Sequence, residues 1–182
     1  MATKAAKYGQ VDPRERIRIH CTGRLNLTSA QDLARVHALM DQHPADMLVI
    51  GPIYRLSPRG MNTDEDAAPV IAALDSLRDR PDGPALLMEA HAGHALGVDG
   101  ERNMRPRGSS MQLGWPEFGI GLARDTNDDT GTSVLVKRWR GLRVQGRHIP
   151  QQLRSGGDWP WMPDGAAGDG WLDLKYQRDR AA

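Results

Sequence analysis

The segment ALLMEAHAGHALGVDGERNMRPRGSSMQLGWPEFGIGL, residues 85–122, contains the pattern that decides the fold. It begins with a short apolar run that ends in Glu89-Ala90-His91, and a long loop rich in glycine and histidine follows. In open α/β sheets, ligand sites form where buried strands end and such loops begin. The segment therefore predicts a ligand site at the carboxyl end of a parallel sheet.

The residues before this segment predict alternating strands and helices. The alternation of isoleucine with Arg and His at 17–20 predicts a short strand. Thr28 and Gln31 have the spacing of a capping box, which predicts the start of a helix that ends at His43-Pro44. The nearly unbroken apolar run Met47–Ile53 is typical of a strand buried on both faces.

A second helix and a second buried strand complete the pattern. The helix runs from about 64 to 78 and has acidic residues at its start, and the strand at 85–88 follows a turn at 81–84. This order predicts right-handed βαβ units, and thus an α/β fold with a parallel sheet flanked by helices.

After the loop the pattern becomes antiparallel. Residues 118–122 and 133–139 predict two strands of a hairpin, and residues 144–149 add a third strand. The organisation we predict is a flexible tail at 1–15, an α/β core at 16–150 and an irregular tail rich in Trp, Gly and Pro at 151–182.

Composition limits the classes of protein to consider. The chain has 182 residues, with 24 Lys and Arg against 23 Asp and Glu, so its formal charge of +1 gives no global case for binding nucleic acid. A single cysteine, Cys21, excludes an internal disulfide framework and suits a reducing compartment. The sequence has no apolar run of transmembrane length and no signal peptide. We therefore expect a cytoplasmic protein without a membrane partner.

Four short segments, in this order, resemble a single family. They are Asp46–Pro52, Leu87–His91, Arg107–Ser110 and Val136–Gly141. They resemble the RecA-like AAA ATPases related to plasmid RepA and to DnaB-type hexameric replicative helicases, in their actinobacterial and phage form. The resemblance covers roughly residues 17–161. It implies a partial RecA-like core of the P-loop NTPase fold, ATP with Mg²⁺ as cofactors, a ring-forming oligomer and work on DNA in replication or recombination.

Two departures from that family concern nucleotide hydrolysis. The sequence contains no G-x-x-x-x-G-K-[ST] loop, and about sixteen residues precede the matched region, too few for a strand, a loop and a helix. Gly51 stands where the Walker B aspartate is expected, and glycine cannot orient a metal ion. We expect the C-terminal portion of a helicase-type ATPase that needs a P-loop from another chain. The alternatives are a catalytically dead assembly or regulatory subunit, or a truncated remnant without ATPase activity.

The resemblance also implies roles for residues at the sheet edge. Glu89 would position water and His91 would sense the γ-phosphate, and the two share a face if the strand continues. The alternative is that they satisfy local hydrogen bonds. The other residues implied for nucleotide binding are Gly51, Tyr54, Ser109 and Ser110. An ordinary alternative for the serines is a cap on a short helix near 111–113.

The loop from Ala92 to Arg107 is the candidate contact with DNA. Arg102, Arg105 and Arg107 are suited to meeting phosphates in the channel of a ring, although an unbound basic loop has the same composition. His91 and His94, with Glu89 and Asp99 nearby, do not supply the four ligands of a structural zinc site, so we predict no metal site of this kind.

The basic residues Lys137, Arg138 and Arg140 lie near a predicted strand end. The family places there a finger that stabilises charge on the neighbouring subunit's nucleotide, and we favour Lys137 and Arg140 over Arg138. The alternative is a solvated basic strand edge. Three tryptophans of the C-terminal tail favour packing onto the domain or a partner over stacking on single-stranded bases; they are Trp159, Trp161 and Trp171.

Overall fold

The computed structural model describes residues 16–21, 23–93, 96, 103–141, 150–155 and 161–163. The chain divides into two compact units. We call the described residues of 14–95 and 105–116 the α/β unit, and those of 96–104 and 117–182 the antiparallel unit.

The α/β unit contains a two-stranded parallel sheet and its helices. Its elements, in chain order, are α1 (Ala30–Gln42), β1 (Met47–Ile50), a 3₁₀ turn (Ile53–Arg55), α2 (Asp64–Arg78), β2 (Ala85–Met88) and the short α3 (Met111–Gly114). Strands β1 and β2 pair in parallel, with Met47 opposite Ala85 and Ile50 opposite Met88. The predicted βαβ unit and α/β fold class are therefore confirmed.

The core of this unit is built around α2. Its residues Val70, Leu74 and Leu77 are completely buried, because they recur on one face of the helix. Apolar residues from α1, β1 and the 3₁₀ turn join the same cluster, among them Val36, Ile50 and Ile53. Thr63 caps α2 by accepting a hydrogen bond from the Asp66 amide at 3.2 Å. The acidic residues at the start of α2 complement the helix dipole.

Two details of the predicted helix and strand boundaries are wrong. Ser29, not Thr28, caps α1 by accepting from the Asp32 amide at 3.4 Å, because Thr28 donates its hydroxyl to Asn26 instead. Strand β1 ends at Ile50 and does not continue to Ile53, because Gly51 at φ 149° turns the backbone out of the strand.

Two expectations, one about strand formation and one about strand burial, are also wrong. Residues 17–20 form no strand, and Ile17 and Ile19 remain exposed, because no described strand lies alongside them. Strand β1 is not buried on both faces: Met47 and Val49 are 55% and 68% exposed. Among the described residues, the helices cover only the face that carries Leu48 and Ile50.

The described residues of the antiparallel unit form four strands of one sheet, in the order β3-β4-β5-β6. Its strands are β3 (Gly119–Arg124), β4 (Ser133–Arg140), β5 (Gln152–Arg154) and β6 (Met162–Pro163). The predicted hairpin is confirmed, with Leu122 opposite Val136. Strands β5 and β6 lie within the segment that the sequence predicts to be irregular, whereas most of the predicted strand at 144–149 lies outside the described residues.

Two aspartates organise the β3–β4 turn. Asp125 is buried and accepts from the Gln152 side-chain amide at 2.7 Å, which ties the turn to β5. Asp128 accepts from both the amide and the hydroxyl of Ser133 at 2.7 Å. Hydroxyl donation from Thr130 and Ser133 holds the pKa of Asp128 far below its ordinary value. The turn between β3 and β4 is therefore an ordered hydrogen-bond network.

None of the helices in the described part of the chain has the length and apolar content that a bilayer crossing requires.

Candidate functional site

The candidate site of the α/β unit lies where β1 and β2 end. Past the ends of the strands the two backbones stay joined, because the Ile53 amide donates to the Glu89 carbonyl at 2.9 Å. Gly51 lies between them at φ 149°, and a Cβ there would approach the Glu89 nitrogen to 3.3 Å. This position therefore favours glycine, both in its backbone conformation and in the space beside it.

Three predicted site residues meet at this edge. The His91 Nε2 atom lies 3.4 Å from the Glu89 Oε1 atom. The His91 ring packs against the Tyr54 ring, with centroids 4.7 Å apart and planes inclined by 53°. Tyr54 comes from the 3₁₀ turn after β1, whereas Glu89 and His91 follow β2. Parallel strands bring their carboxyl ends to one edge, which explains why residues 37 positions apart in sequence come into contact.

The Glu89–His91 pair is exposed to solvent. The side chains of Glu89 and His91 are 67% and 48% exposed, so water reaches both. A carboxylate can accept a proton or orient a water molecule, and an imidazole can donate to an anionic oxygen. The arrangement suits a site that a second surface would have to close, since polar contacts strengthen when water is excluded.

The loop after β2 is closed at its base. Ala92 and Pro106 form an isolated antiparallel bridge, and the Arg107 amide donates to the His91 carbonyl at 3.0 Å. Arg105 and Arg107 are exposed at this base, beside the Glu89–His91 pair. Arg102, His94 and Asp99 lie outside the described residues. Contact with DNA stays a prediction for all three arginines.

The Gly108-Ser109-Ser110 segment is bound to the start of α2. Both serine hydroxyls donate to the Asp64 carboxylate, that of Ser110 at 3.0 and 3.1 Å from its two oxygens. The hydroxyl of Ser109 also accepts from the Met111 amide at 3.1 Å. The side chain of Ser110 makes no capping hydrogen bond to α3. A role for the serines as nucleotide ligands stays a prediction.

Asp64 is the residue of this region that sequence reasoning missed. Hydrogen bonds from Ser109 and Ser110 lower the pKa of its carboxyl group from the ordinary 3.8. The acidic start of α2 and the Gly-Ser-Ser segment are each visible in the sequence, but they are more than forty residues apart. Nothing local indicates that they meet.

Strand β4 places the candidate finger residues in the antiparallel unit. It is continuous from Ser133 to Arg140, but its pairing with β3 shifts register between Gly119 and Ile120, so the alternation of faces is interrupted at Trp139. Lys137 lies opposite Gly121 and Arg140 opposite Gly119, which places both on one face. Arg138 lies opposite Ile120, on the other face, and both arginines are exposed. This register is compatible with Lys137 and Arg140 as joint candidates and separates them from Arg138. Finger roles stay predictions for both residues.

The described residues do not form a metal site by themselves. They contain no group of three or more His, Cys, Asp or Glu side chains placed to hold a metal ion. Among the described residues at this edge of the parallel sheet, Glu89 and His91 carry ligand atoms 3.4 Å apart, and Gly51 offers no side chain. The residues present therefore do not fit a complete site for Mg²⁺ with ATP.

Comparison with known proteins defines the class. A parallel α/β unit with polar residues at the carboxyl edge of its strands is the general form of a nucleotide-binding sheet. The model of the AAA domain family matches residues 3–96, just over half of the chain. The chain therefore belongs to the AAA domain family, and its function is related to that of AAA-type ATPases. No curated protein matches it significantly.

Proposed function

We propose that this chain is the C-terminal portion of a RepA/DnaB-like, helicase-type AAA ATPase that acts in DNA replication or recombination. A P-loop supplied by another chain would complete its nucleotide site. The membership in the AAA domain family supports the ATPase class. The helicase role rests on the ordered set of four sequence segments.

One observation carries the proposal: the uncovered face of the parallel sheet. Met47 and Val49 of β1 lie opposite Ala85 and Leu87 of β2, and these four side chains share one face. Met47, Val49 and Leu87 are 55%, 68% and 53% exposed. Parallel sheets are normally covered on both faces. We therefore assign this face to the missing strand and helix of the P-loop partner.

The same partner would close the site at the end of the sheet. Glu89 and His91 lie at the carboxyl edge, where a nucleotide held by the partner would present its terminal phosphate. In this proposal Glu89 orients water, and His91 donates a hydrogen bond to an anionic oxygen. Arg140 or Lys137 would supply a cation to a neighbouring subunit in the ring. Arg105 and Arg107 would meet DNA phosphates.

A second candidate function is supported by Gly51. Its φ of 149° and the 3.3 Å approach to the Glu89 backbone mean that any side chain at this position, a Walker B carboxylate included, would be strained. The positive φ of Gly51 therefore favours a catalytically dead assembly or regulatory subunit of an ATPase motor. Such a subunit would bind the P-loop chain through the same apolar face but would contribute no Glu89-dependent hydrolysis.

The experiment tests partner binding by the apolar face of the parallel sheet separately from the role of Glu89 in hydrolysis. The P-loop chain is sought in the reading frame immediately upstream, co-expressed, and its affinity for this chain is measured. Leu87→Asp should weaken association by about 10²-fold or more, because burying an unpaired carboxylate costs several kcal/mol. Leu96→Asp is the matched control, since Leu96 is 69% exposed and lies outside the sheet. Equal affinities of both variants would refute the assignment of the face.

Hydrolysis by the complex then separates the two candidate functions. Glu89→Gln should abolish phosphate release if this chain takes part in catalysis. Unchanged release with intact association would favour the regulatory subunit.

A further inference from the structure

We propose that Asp64 is a positioning residue whose carboxylate, by holding Ser109 and Ser110, fixes Arg107 at the tip of β2. The proposal concerns the segment 105–110, which returns the chain from the loop to α3. Its consequence for DNA binding rests on the proposed function, whereas the positioning itself does not.

The start of α2 is a fixed point for this contact. Thr63 caps the helix through the Asp66 amide, so the backbone of Asp64 is part of a well-formed first turn. From this position the carboxylate accepts from the Ser109 hydroxyl with one oxygen and from the Ser110 hydroxyl with both. Hydrogen bonds to an ionised acceptor are the stronger kind. Two adjacent residues are therefore held by one carboxylate.

A second set of bonds fixes the direction of the segment. The Met61 carbonyl accepts from the Ser109 amide at 2.9 Å and from the Gln112 side-chain amide at 2.7 Å. Ser109 and Gln112 are both buried. Gly108, at φ 118°, makes the sharp turn that this approach to Met61 requires. The return segment is thus bound to α2 and to the residues just before it.

Arg107, two residues before Ser109 in the same segment, contacts the candidate site. The Arg107 amide donates to the His91 carbonyl at 3.0 Å, next to the Ala92–Pro106 bridge. Only Gly108 separates Arg107 from Ser109. The position of Arg107 relative to Glu89 and His91 therefore depends on where Asp64 holds the serines. In this assignment the serine hydroxyls bind Asp64 and not a nucleotide.

The chain offers its own spectroscopic probes for a test. Met61 and Met111 lie on either side of the contact, so spectra of the protein labelled with ¹³C-methyl methionine report on it without any substitution or attached probe. Amide hydrogen exchange of residues 105–111 gives the local opening rate. The variants are Asp64→Ala, Asp64→Asn and the double variant Ser109→Ala, Ser110→Ala. Glu65→Ala is the matched control, because it removes an exposed carboxylate from the same helical turn.

The expected result is a local change. Asp64→Ala and the double serine variant should each raise exchange at Arg107 and Ser109 on the order of tenfold or more, because hydrogen bonds to a charged group are lost. Both should shift the Met111 methyl signal. Asp64→Asn should restore part of the protection, since its amide oxygen still accepts. Combining Asp64→Ala with the serine changes should add little, because the three groups act together.

Two results would overturn the proposal. One is exchange at 105–111 in Asp64→Ala no faster than in Glu65→Ala. The other is faster exchange throughout α2, which would make Asp64 a general stabiliser of the helix.

Binding of single-stranded DNA adds a functional readout. If Arg107 contacts a phosphate, Asp64→Ala should reduce the salt dependence of binding as Arg107→Ala does. Absence of DNA binding by the wild-type chain would refute that role of the loop, while the exchange data would still decide the role of Asp64.

Discussion

Replacing Gly51 by aspartate introduces the carboxylate that the resemblance to helicase-type ATPases implies at this strand end, and it tests whether the position can accept one. Gly51 has a φ of 149°, which side-chain-bearing residues rarely adopt, and its Cβ position lies 3.3 Å from the Glu89 nitrogen and 3.4 Å from the Ile53 nitrogen. Strain of this kind costs about 1–3 kcal/mol. For a chain of this size that lowers the melting temperature by about 2–12 °C.

The assay combines thermal unfolding with titration of Mg²⁺. Gly51→Ala should lose nearly as much stability as Gly51→Asp, because the cost lies mainly in the backbone and the Cβ atom. Gly23→Asp adds the same charge at a position where a Cβ would meet nothing within 4 Å, so it should be nearly neutral. The reasoning would be refuted if Gly51→Asp melted like the wild type and gained magnesium binding.

Three further predictions concern other parts of the chain. Hydrogen bonding lowers the pKa of Asp64 and of Asp128 below 3.8. The stability that the two carboxylates add is therefore present above their unfolded pKa and is lost as the pH falls through their folded pKa values. Thermal melts in acid should show this loss, and Ser133→Ala should weaken the acid dependence. Trp115→Phe removes the indole donor to Asp75, 2.8 Å away, and should cost about 0.5–1.5 kcal/mol in urea unfolding, whereas an unchanged midpoint would argue against that bond. In a complex with a P-loop chain, Lys137→Ala and Arg140→Ala should each lower phosphate release by about 10³–10⁵-fold, whereas small equal losses at these positions and at Arg138 would indicate a solvated strand.

The elements that the sequence predicts well are those with a strong local pattern. Helix α2 was predictable because its acidic start and its apolar spacing both lie within one segment. Strand β2 and the β3–β4 hairpin follow from short apolar runs bounded by turn residues. In each case the information that determines the element is local.

The expectations that failed depend on what lies elsewhere in space. The pattern at 17–20 is suitable for a strand, but a strand also needs a neighbour to pair with. The apolar residues Met47 and Val49 indicate burial, but whether they are buried depends on what covers that face.

In the candidate site, too, local features are visible in the sequence and contacts between distant residues are not. The position of Glu89 and His91 after a buried strand is visible in the sequence, and their 3.4 Å separation agrees with it. The contact of Asp64 with Ser109 is not visible, since it joins residues 45 apart. The shared face of Lys137 and Arg140 depends on the register shift between β3 and β4, which the sequence does not reveal.

Phosphate release from Mg²⁺-ATP, measured for the purified chain alone and with a P-loop chain, tests whether this chain hydrolyses ATP only with a P-loop supplied by another chain. We expect no release above the blank for the chain alone, because the sequence has no G-x-x-x-x-G-K-[ST] loop and has glycine at position 51, where the proposed resemblance expects the Walker B aspartate. We also expect that the P-loop chain restores release and that Glu89→Gln removes it. Robust hydrolysis by the chain alone would contradict the account.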